Sequence, residues 1–198
     1  MKIFYLGPEG TNSDLAARKI FSKKDDYVPV SSIEDIFEKV ALSHSYYGVI
    51  PFENSYQGVI NSSLNCLIDY DLKITKEYNF AVSHILCSAN KELNPESVKK
   101  ITSHPQVFGQ CNNWIRENYP LAEKIVSTST AEAASQAKDD TSIYCIANSH
   151  AIEIFDLHTH VENIQDRTDN KTRFLVIGKM IENKGEINKT SVMINIKD

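Results

Sequence analysis

The stretch Asn170-Lys171-Thr172-Arg173-Phe174-Leu175-Val176-Ile177-Gly178 decides the fold. From Thr172 to Gly178 it reads as a β-strand, and it closes a long alternation of strand-like and helix-like segments. Upstream, residues 1–6, Val28–Val30 and Tyr46–Phe52 read as strands. Helices are predicted over 12–22, over about 59–69, and after a Ser32 cap with Ile33, Ile36, Phe37, Val40 and Leu42 on the apolar face. A long β segment covers 72–88. A second cycle follows: strand Val98–Thr102, helix 106–117, strand Lys124–Ser127, an Ala-rich helix 130–138, strand Ile143–Ala147 and helix 148–154. Strands alternating with helices imply open α/β lobes with mainly parallel pairing. The chain leaves its first lobe near residue 80, and the strand from Thr172 brings it back. The expected fold is therefore α/β, with two α/β lobes and a cleft between them. The first lobe is discontinuous, 1–80 plus 171–181, and the second is 81–170. Residues 182–189 read as a linker and Thr190–Ile196 as one final strand.

Composition narrows the function classes. The chain has 198 residues, with 21 Lys plus Arg against 26 Asp plus Glu, a formal charge of −5. Without a basic surplus there is nothing to neutralise a nucleic-acid backbone, so a nucleic-acid partner is not expected. No apolar run approaches the roughly 18 residues a membrane-spanning helix needs. The short apolar start, Met1–Gly7, is too brief for a signal peptide and has no small-residue cleavage site. Cys66, Cys87, Cys111 and Cys145 lack CxxC spacing and read as reduced, packed thiols, so a cytoplasmic location is expected. An anionic ligand would have to be held by local donors, because the net charge opposes it.

Five polar strand-to-helix or turn-to-strand junctions carry the chemistry. They are Gly7-Pro8-Glu9-Gly10-Thr11-Asn12-Ser13, Pro51-Phe52-Glu53-Asn54-Ser55, Ser103-His104-Pro105-Gln106, Ser127-Thr128-Ser129-Thr130-Ala131 and Asn170-Lys171-Thr172-Arg173-Phe174. Each hydroxyl or amide taken singly is an ordinary helix cap. Together they offer helix N-termini, hydroxyls and one Arg, a set suited to a small anion. Arg173 has the two-pronged donor geometry that matches a carboxylate. His158-Thr159-His160 reads as loop histidines, since no third ligand at convincing spacing completes a metal site. Cys111 reads as a packing position without a base.

These motifs, in this order over about residues 1–180, resemble prephenate dehydratases. Gly58 with Asn61, and Ile164-Gln165-Asp166 before Asn170, add to the likeness. The resemblance implies a fold like that of periplasmic binding proteins. It also implies a decarboxylating dehydration of prephenate to phenylpyruvate in phenylalanine biosynthesis, with no metal or organic cofactor. On that pattern Thr172 sits at the departing hydroxyl and Arg173 beside a substrate carboxylate. Thr11, Glu53, Asn54, Ser55, His104, Gln106, Ser129, Thr130 and Phe174 are the expected substrate contacts. Glu53 also reads as a structural ion pair within its own lobe, and His104 as a packed cap. Departures from the family fall at Asn12, at Gln57 and at Phe155-Asp156-Leu157, where Tyr-Gly-Leu is usual. Asp156 can supply the left-handed backbone that Gly provides there.

Lys189-Thr190-Ser191-Val192 resembles the opening of the family's ACT regulatory domain, whose remainder is not in this sequence, so no inhibition by phenylalanine is expected of the chain as given. A homodimer through the catalytic lobes is expected. Three other functions stay open: a non-aromatising prephenate decarboxylase, an arogenate dehydratase and a non-catalytic small-anion binding module. The decarboxylase relatives generally lack the Thr of Thr172-Arg173-Phe174.

Overall fold

A computed structural model describes residues 1–179 together with Lys189, Thr190 and Val192. The expected linker and final strand after residue 181 thus lie almost wholly outside the described residues. In chain order the elements are β1 (Lys2–Leu6), α1 (Asn12–Ile20), β2 (Asp26–Val30), α2 (Ile33–Val40), β3 (Tyr46–Asn54), β4 (Gly58–Val59), α3 (Asn61–Asp69), β5 (Lys73–Ala81) and β6 (Ile85–Ser88). After a 3-10 turn at Pro95–Ser97 come β7 (Lys100–Ser103), α4 (Pro105–Gln110), α5 (Asn112–Asn118), β8 (Glu123–Val126), α6 (Thr130–Asp139), β9 (Tyr144–Ala147), α7 (Ser149–Ile154), β10 (His158–Val161) and β11 (Lys171–Gly178).

Two sheets form. The first has the order β2-β1-β3-β11-β5, with β4 on β3; the second has the order β10-β6-β9-β7-β8. The chain leaves the first sheet after Ala81 and re-enters it at Lys171, and there β11 lies between β3 and β5. Side chains alternate across each strand, so one apolar run feeds two cores. Ile3, Tyr5, Val49, Phe174 and Val176 pack with Ala16 and Ala17 of α1 on one face. Phe4, Ile50, Leu175 and Ile177 pack with Ile33, Ile36, Phe37 and Val40 of α2 on the other. In the second lobe Ala133, Ala134 and Ala137 let α6 lie close against Cys145 and Ala147 of β9. Its opposite face carries Val107, Phe108 and Ile115.

Pairing differs from the parallel expectation. Among the described residues five strand pairings are antiparallel and four parallel. The reason is that the chain crosses between lobes in extended form rather than through helices, so β5 goes out beside β11 coming back. The predicted β segment 72–88 is divided at Val82-Ser83-His84, its halves belonging to different sheets. The predicted helix 106–117 breaks at Cys111, whose φ of −119° and ψ of 16° leave the helical region. Leu42 lies past the end of α2 and is exposed rather than on its apolar face. The His158–His160 segment is an edge strand, β10, with His160 bonded to Ser88 at 2.8 Å. Asp156 does adopt φ 49°, directly after the α7 cap.

No helix among the described residues is long and apolar enough to cross a membrane. The tightest backbone approach is at Gly48 of β3. A Cβ there would lie 2.4 Å from Ile36 Cγ2 and 2.9 Å from Ile177 Cγ1. Overpacking of this kind costs about 1–3 kcal/mol. Gly48→Ala is expected to lower the midpoint of urea unfolding accordingly, with an unchanged denaturant slope.

Candidate active site

Two crossing segments join the lobes, side by side. Val82 N–H donates to the Asn170 carbonyl at 3.0 Å, and Ile164 N–H to the His84 carbonyl at 3.0 Å. Elsewhere between the lobes, Asn148 at the start of α7 donates to the Gly10 carbonyl and to Asn12 Oδ1, both at 3.0 Å. His150 bonds Asp14 at 3.0 Å. Gly10 makes this close approach possible. Its φ of +87° suits glycine, and a Cβ there would lie 3.4 Å from Ala131 of α6 and 3.5 Å from the Ala151 backbone of α7.

Between the lobes lies a cavity of about 170 Å³, lined by Asn12, Ser13, Asn54, Gln106, Gln110 and Thr172 among others. Apolar walls come from Ile60, Val82, Val107 and Phe174. It opens toward a hollow of about 420 Å³ that shares Gln57, Gln106 and Gln110 and adds Tyr56, Asp166 and Arg167. Arg167 stacks over Tyr56 with its guanidinium 4.8 Å from the ring centroid, and it pairs with Asp169 at 2.6 Å.

The inner cavity is built on β11 and its neighbours. Thr172 stands opposite Asn54 of β3 and Phe80 of β5, so all three share a face. Asn54 Nδ2 donates to Thr172 Oγ1 and to Asn170 Oδ1, each at 3.0 Å. Asn170 Nδ2 donates to Gln110 Oε1 at 3.0 Å, and His84 Nε2 lies 2.6 Å from that same oxygen. A continuous side-chain chain thus runs from the second lobe to the Thr172 hydroxyl. Burial keeps the His84 imidazole neutral, lowering its pKa against the pull of the Gln110 oxygen.

Two helix N-termini also face this space. In α1, Thr11 caps Asp14 N–H, which leaves the N–H groups of the lining residues Asn12 and Ser13 outside the helical ladder. In α3 no side chain caps the first turn, and the residue before it, Ile60, lines the cavity. Such ends attract negative charge. Among the described residues that line it there is no Asp, Glu, Lys or Arg.

Of the sequence-expected residues, Asn54, Gln106, Thr172 and Phe174 come together on this cavity. Thr11, His104 and Ser129 are N-caps of α1, α4 and α6, accepting the backbone N–H of Asp14, Gln106 and Glu132 respectively. Thr130 opens α6 and is not among the residues lining the cavity. Ser55 ties the returning chain, accepting Lys171 N–H at 3.0 Å. Glu53 and Arg173 lie elsewhere. Strand alternation turns both to the face opposite Thr172, where Arg173 meets Glu77 at 2.6 Å and Glu53 at 3.5 Å and covers the Phe52 ring. Hydrogen bonds from Lys189 and Arg173 hold the Glu77 carboxyl below its ordinary range, against partial burial. Arg173 is therefore an ion-paired residue behind the cavity wall, not a cation inside it. His84, Gln110 and Val82 were not singled out in the sequence. The available signal was a histidine between two apolar runs, Phe80-Ala81-Val82 and Ile85-Leu86-Cys87.

No group of three or more metal-ligating side chains occurs among the described residues. Burial, with the Asp166 charge, pushes the Cys111 thiol up to about 12, well away from nucleophilic use.

The fold and site define a two-lobed α/β protein whose interlobe cleft is neutral, rich in amide and hydroxyl donors, and flanked by helix N-termini. A family model described as prephenate dehydratase matches residues 3–182. The chain belongs to the prephenate dehydratase family. It is 32% identical over 205 residues to the prephenate dehydratase of Methanocaldococcus jannaschii, covering 99% of this chain and 72% of that protein. It is 33% identical to the bifunctional chorismate mutase/prephenate dehydratase of Pseudomonas aeruginosa, with all of this chain and 54% of that protein covered. The chain spans about half the length of several such bifunctional relatives. Among solved structures, the prephenate dehydratase of Staphylococcus aureus superposes with a TM-score of 0.81 at 28% identity, over 92% of this chain and 67% of that one.

Proposed function

We propose that the cleft between the lobe of residues 1–80 plus 171–181 and the lobe of 81–170 converts prephenate to phenylpyruvate. The C1–carboxylate bond breaks, and its electron pair enters the ring as carbon dioxide departs. The C4–oxygen bond breaks in turn, and the oxygen takes its electron pair and a proton to leave as water. Negative charge therefore moves from one end of the six-membered ring to the other. Only groups that bind the charge better after it has moved accelerate this step. The observation that carries the proposal is the Thr172 hydroxyl. Its oxygen already accepts from Asn54, so its hydrogen is left to be donated to the departing oxygen. With Thr172 at the hydroxyl end, the carboxylate end of the substrate points toward the wider hollow and Arg167.

All four cysteines are buried free thiols, which supports a reducing, cytoplasmic setting. A homodimer through the catalytic lobes completes the proposal, and sedimentation equilibrium tests it. For the activity, the chain is incubated with prephenate and the product is followed as the phenylpyruvate enolate in alkali, with arogenate run in parallel. Phenylpyruvate from prephenate is the expected result. A non-aromatic product would mean decarboxylation alone, and unchanged substrate would mean a binding module.

A further inference from the structure

Among the described residues that line the inner cavity, His84 alone carries an ionisable side chain. It is buried, and its backbone is clamped on both sides, by Gln165 Oε1 at its N–H and by Ile164 N–H at its carbonyl. We propose that His84, acting as an Nε2–H donor, is a positioning residue that holds the Gln110 carbonyl oxygen toward Asn170 and so turns the Gln110 amino group into the cavity as a substrate donor. This rests on the dehydratase proposal for the same site and adds to it a residue role and a tautomer.

The direction follows from a fixed point. Tyr56 backbone N–H donates to Asn54 Oδ1 at 2.9 Å, and a backbone N–H cannot reverse. Asn54 Nδ2 is therefore the donor to both Thr172 Oγ1 and Asn170 Oδ1. With its oxygen so used, Asn170 has only its amino group to offer Gln110, and Gln110 Oε1 must accept. The same oxygen faces His84 Nε2 at 2.6 Å, so the imidazole has to donate there. Every link then points one way, and the Thr172 O–H and the Gln110 amino group remain as donors for a ligand. If His84 presented a bare Nε2 instead, a rotated Gln110 would satisfy it with its amino group. That would oppose two amino groups at the Asn170 link and place a carbonyl where negative charge must be held.

Two measurements decide the matter. Nitrogen NMR of the imidazole in the intact chain is expected to show Nε2 protonated and Nδ1 bare at neutral pH. The opposite tautomer would overturn the inference whether or not the chain turns prephenate over. In kinetics, His84→Met, which removes the donor, is expected to lower kcat about 10- to 100-fold with KM changed less than about threefold. His84→Gln, which keeps a side-chain N–H, is expected to retain at least about a third of kcat. In a Gln110→Ala background the added His84→Met change is expected to cost less than about twofold, because its effect passes through Gln110. Wild-type kcat in His84→Met would overturn the inference. So would equal damage from both substitutions, or the same fold-loss with and without Gln110. Loss of activity in Thr172→Ala with no effect at His84 would leave the dehydratase proposal standing and remove this inference alone.

Discussion

Replacing Thr172 by Ala is expected to reduce kcat for prephenate by about 100- to 1,000-fold, the range seen when one preorganised donor to a developing oxyanion is lost. KM should change little, because the hydroxyl matters most once charge reaches the departing oxygen, and ground-state binding is spread over the cleft. The fold should hold. Thr172 packs between Asn54 and Phe80 in a sheet whose core neighbours, Phe174 and Val176, are untouched. Asn54 would lose one acceptor but keep Asn170. Steady-state kinetics with a circular-dichroism melt separates the two effects. A variant with native melting and near-native turnover would remove Thr172 from the chemistry.

The second large effect is on stability. Asp14 is fully buried, and three donors converge on its carboxylate: Gly10 N–H at 2.8 Å, Arg18 Nε at 2.7 Å and, from the other lobe, His150 Nε2 at 3.0 Å. In Asp14→Asn one oxygen becomes an amino group. However the amide turns, that group abuts Gly10 N–H or Arg18 Nε–H, neither of which can accept. The expected loss is about 2–4 kcal/mol, set below the full value for a broken buried pair because Arg18 is about a third exposed. It is read by urea unfolding. Burial alone would raise the Asp14 pKa, but the hydrogen bonds from His150, Gly10 and Arg18, with the Arg18 charge, hold it below 3.8. A lowered folded-state pKa means stability that is present above 3.8 and lost as pH falls through the folded value. The wild type should therefore lose stability more steeply than Asp14→Asn on going from pH 5 toward pH 2. Parallel pH profiles would contradict the role given to this carboxylate.

Much of the fold was legible because strand and helix periods differ. The caps Thr11, Ser32 and Ser129, the α2 stripe of Ile33, Ile36, Phe37 and Val40, and the returning strand at Thr172 all follow from local pattern. Leu42 continued that stripe on paper, yet the helix had already ended at Val40. The direction of pairing was not legible, because an apolar run is equally suited to parallel and antiparallel neighbours. The same ambiguity hid which side of β11 faces the cleft. Phe174 and Val176 fill one core and Leu175 and Ile177 the other, so apolarity marks both faces alike. The family resemblance sets Arg173 beside a substrate carboxylate, whereas in this structure it pairs with Glu77 and Glu53 on the face of β11 opposite Thr172. His84 and Gln110 escaped notice because they meet only through the crossing of two segments distant in sequence, which no local window contains.

The central claim is that prephenate lies in the interlobe cleft with its hydroxyl end at position 172. Crystals of Thr172→Ala, slowed enough to hold substrate, can be soaked in prephenate and the bound molecule located. The account predicts electron density between the lobes, with the C4 hydroxyl directed at the truncated Thr172 position and the carboxylates toward Gln57, Gln106 and the wider hollow. Density against Arg173 on the opposite face of the sheet, or a reversed ring with a carboxylate at position 172, would contradict it.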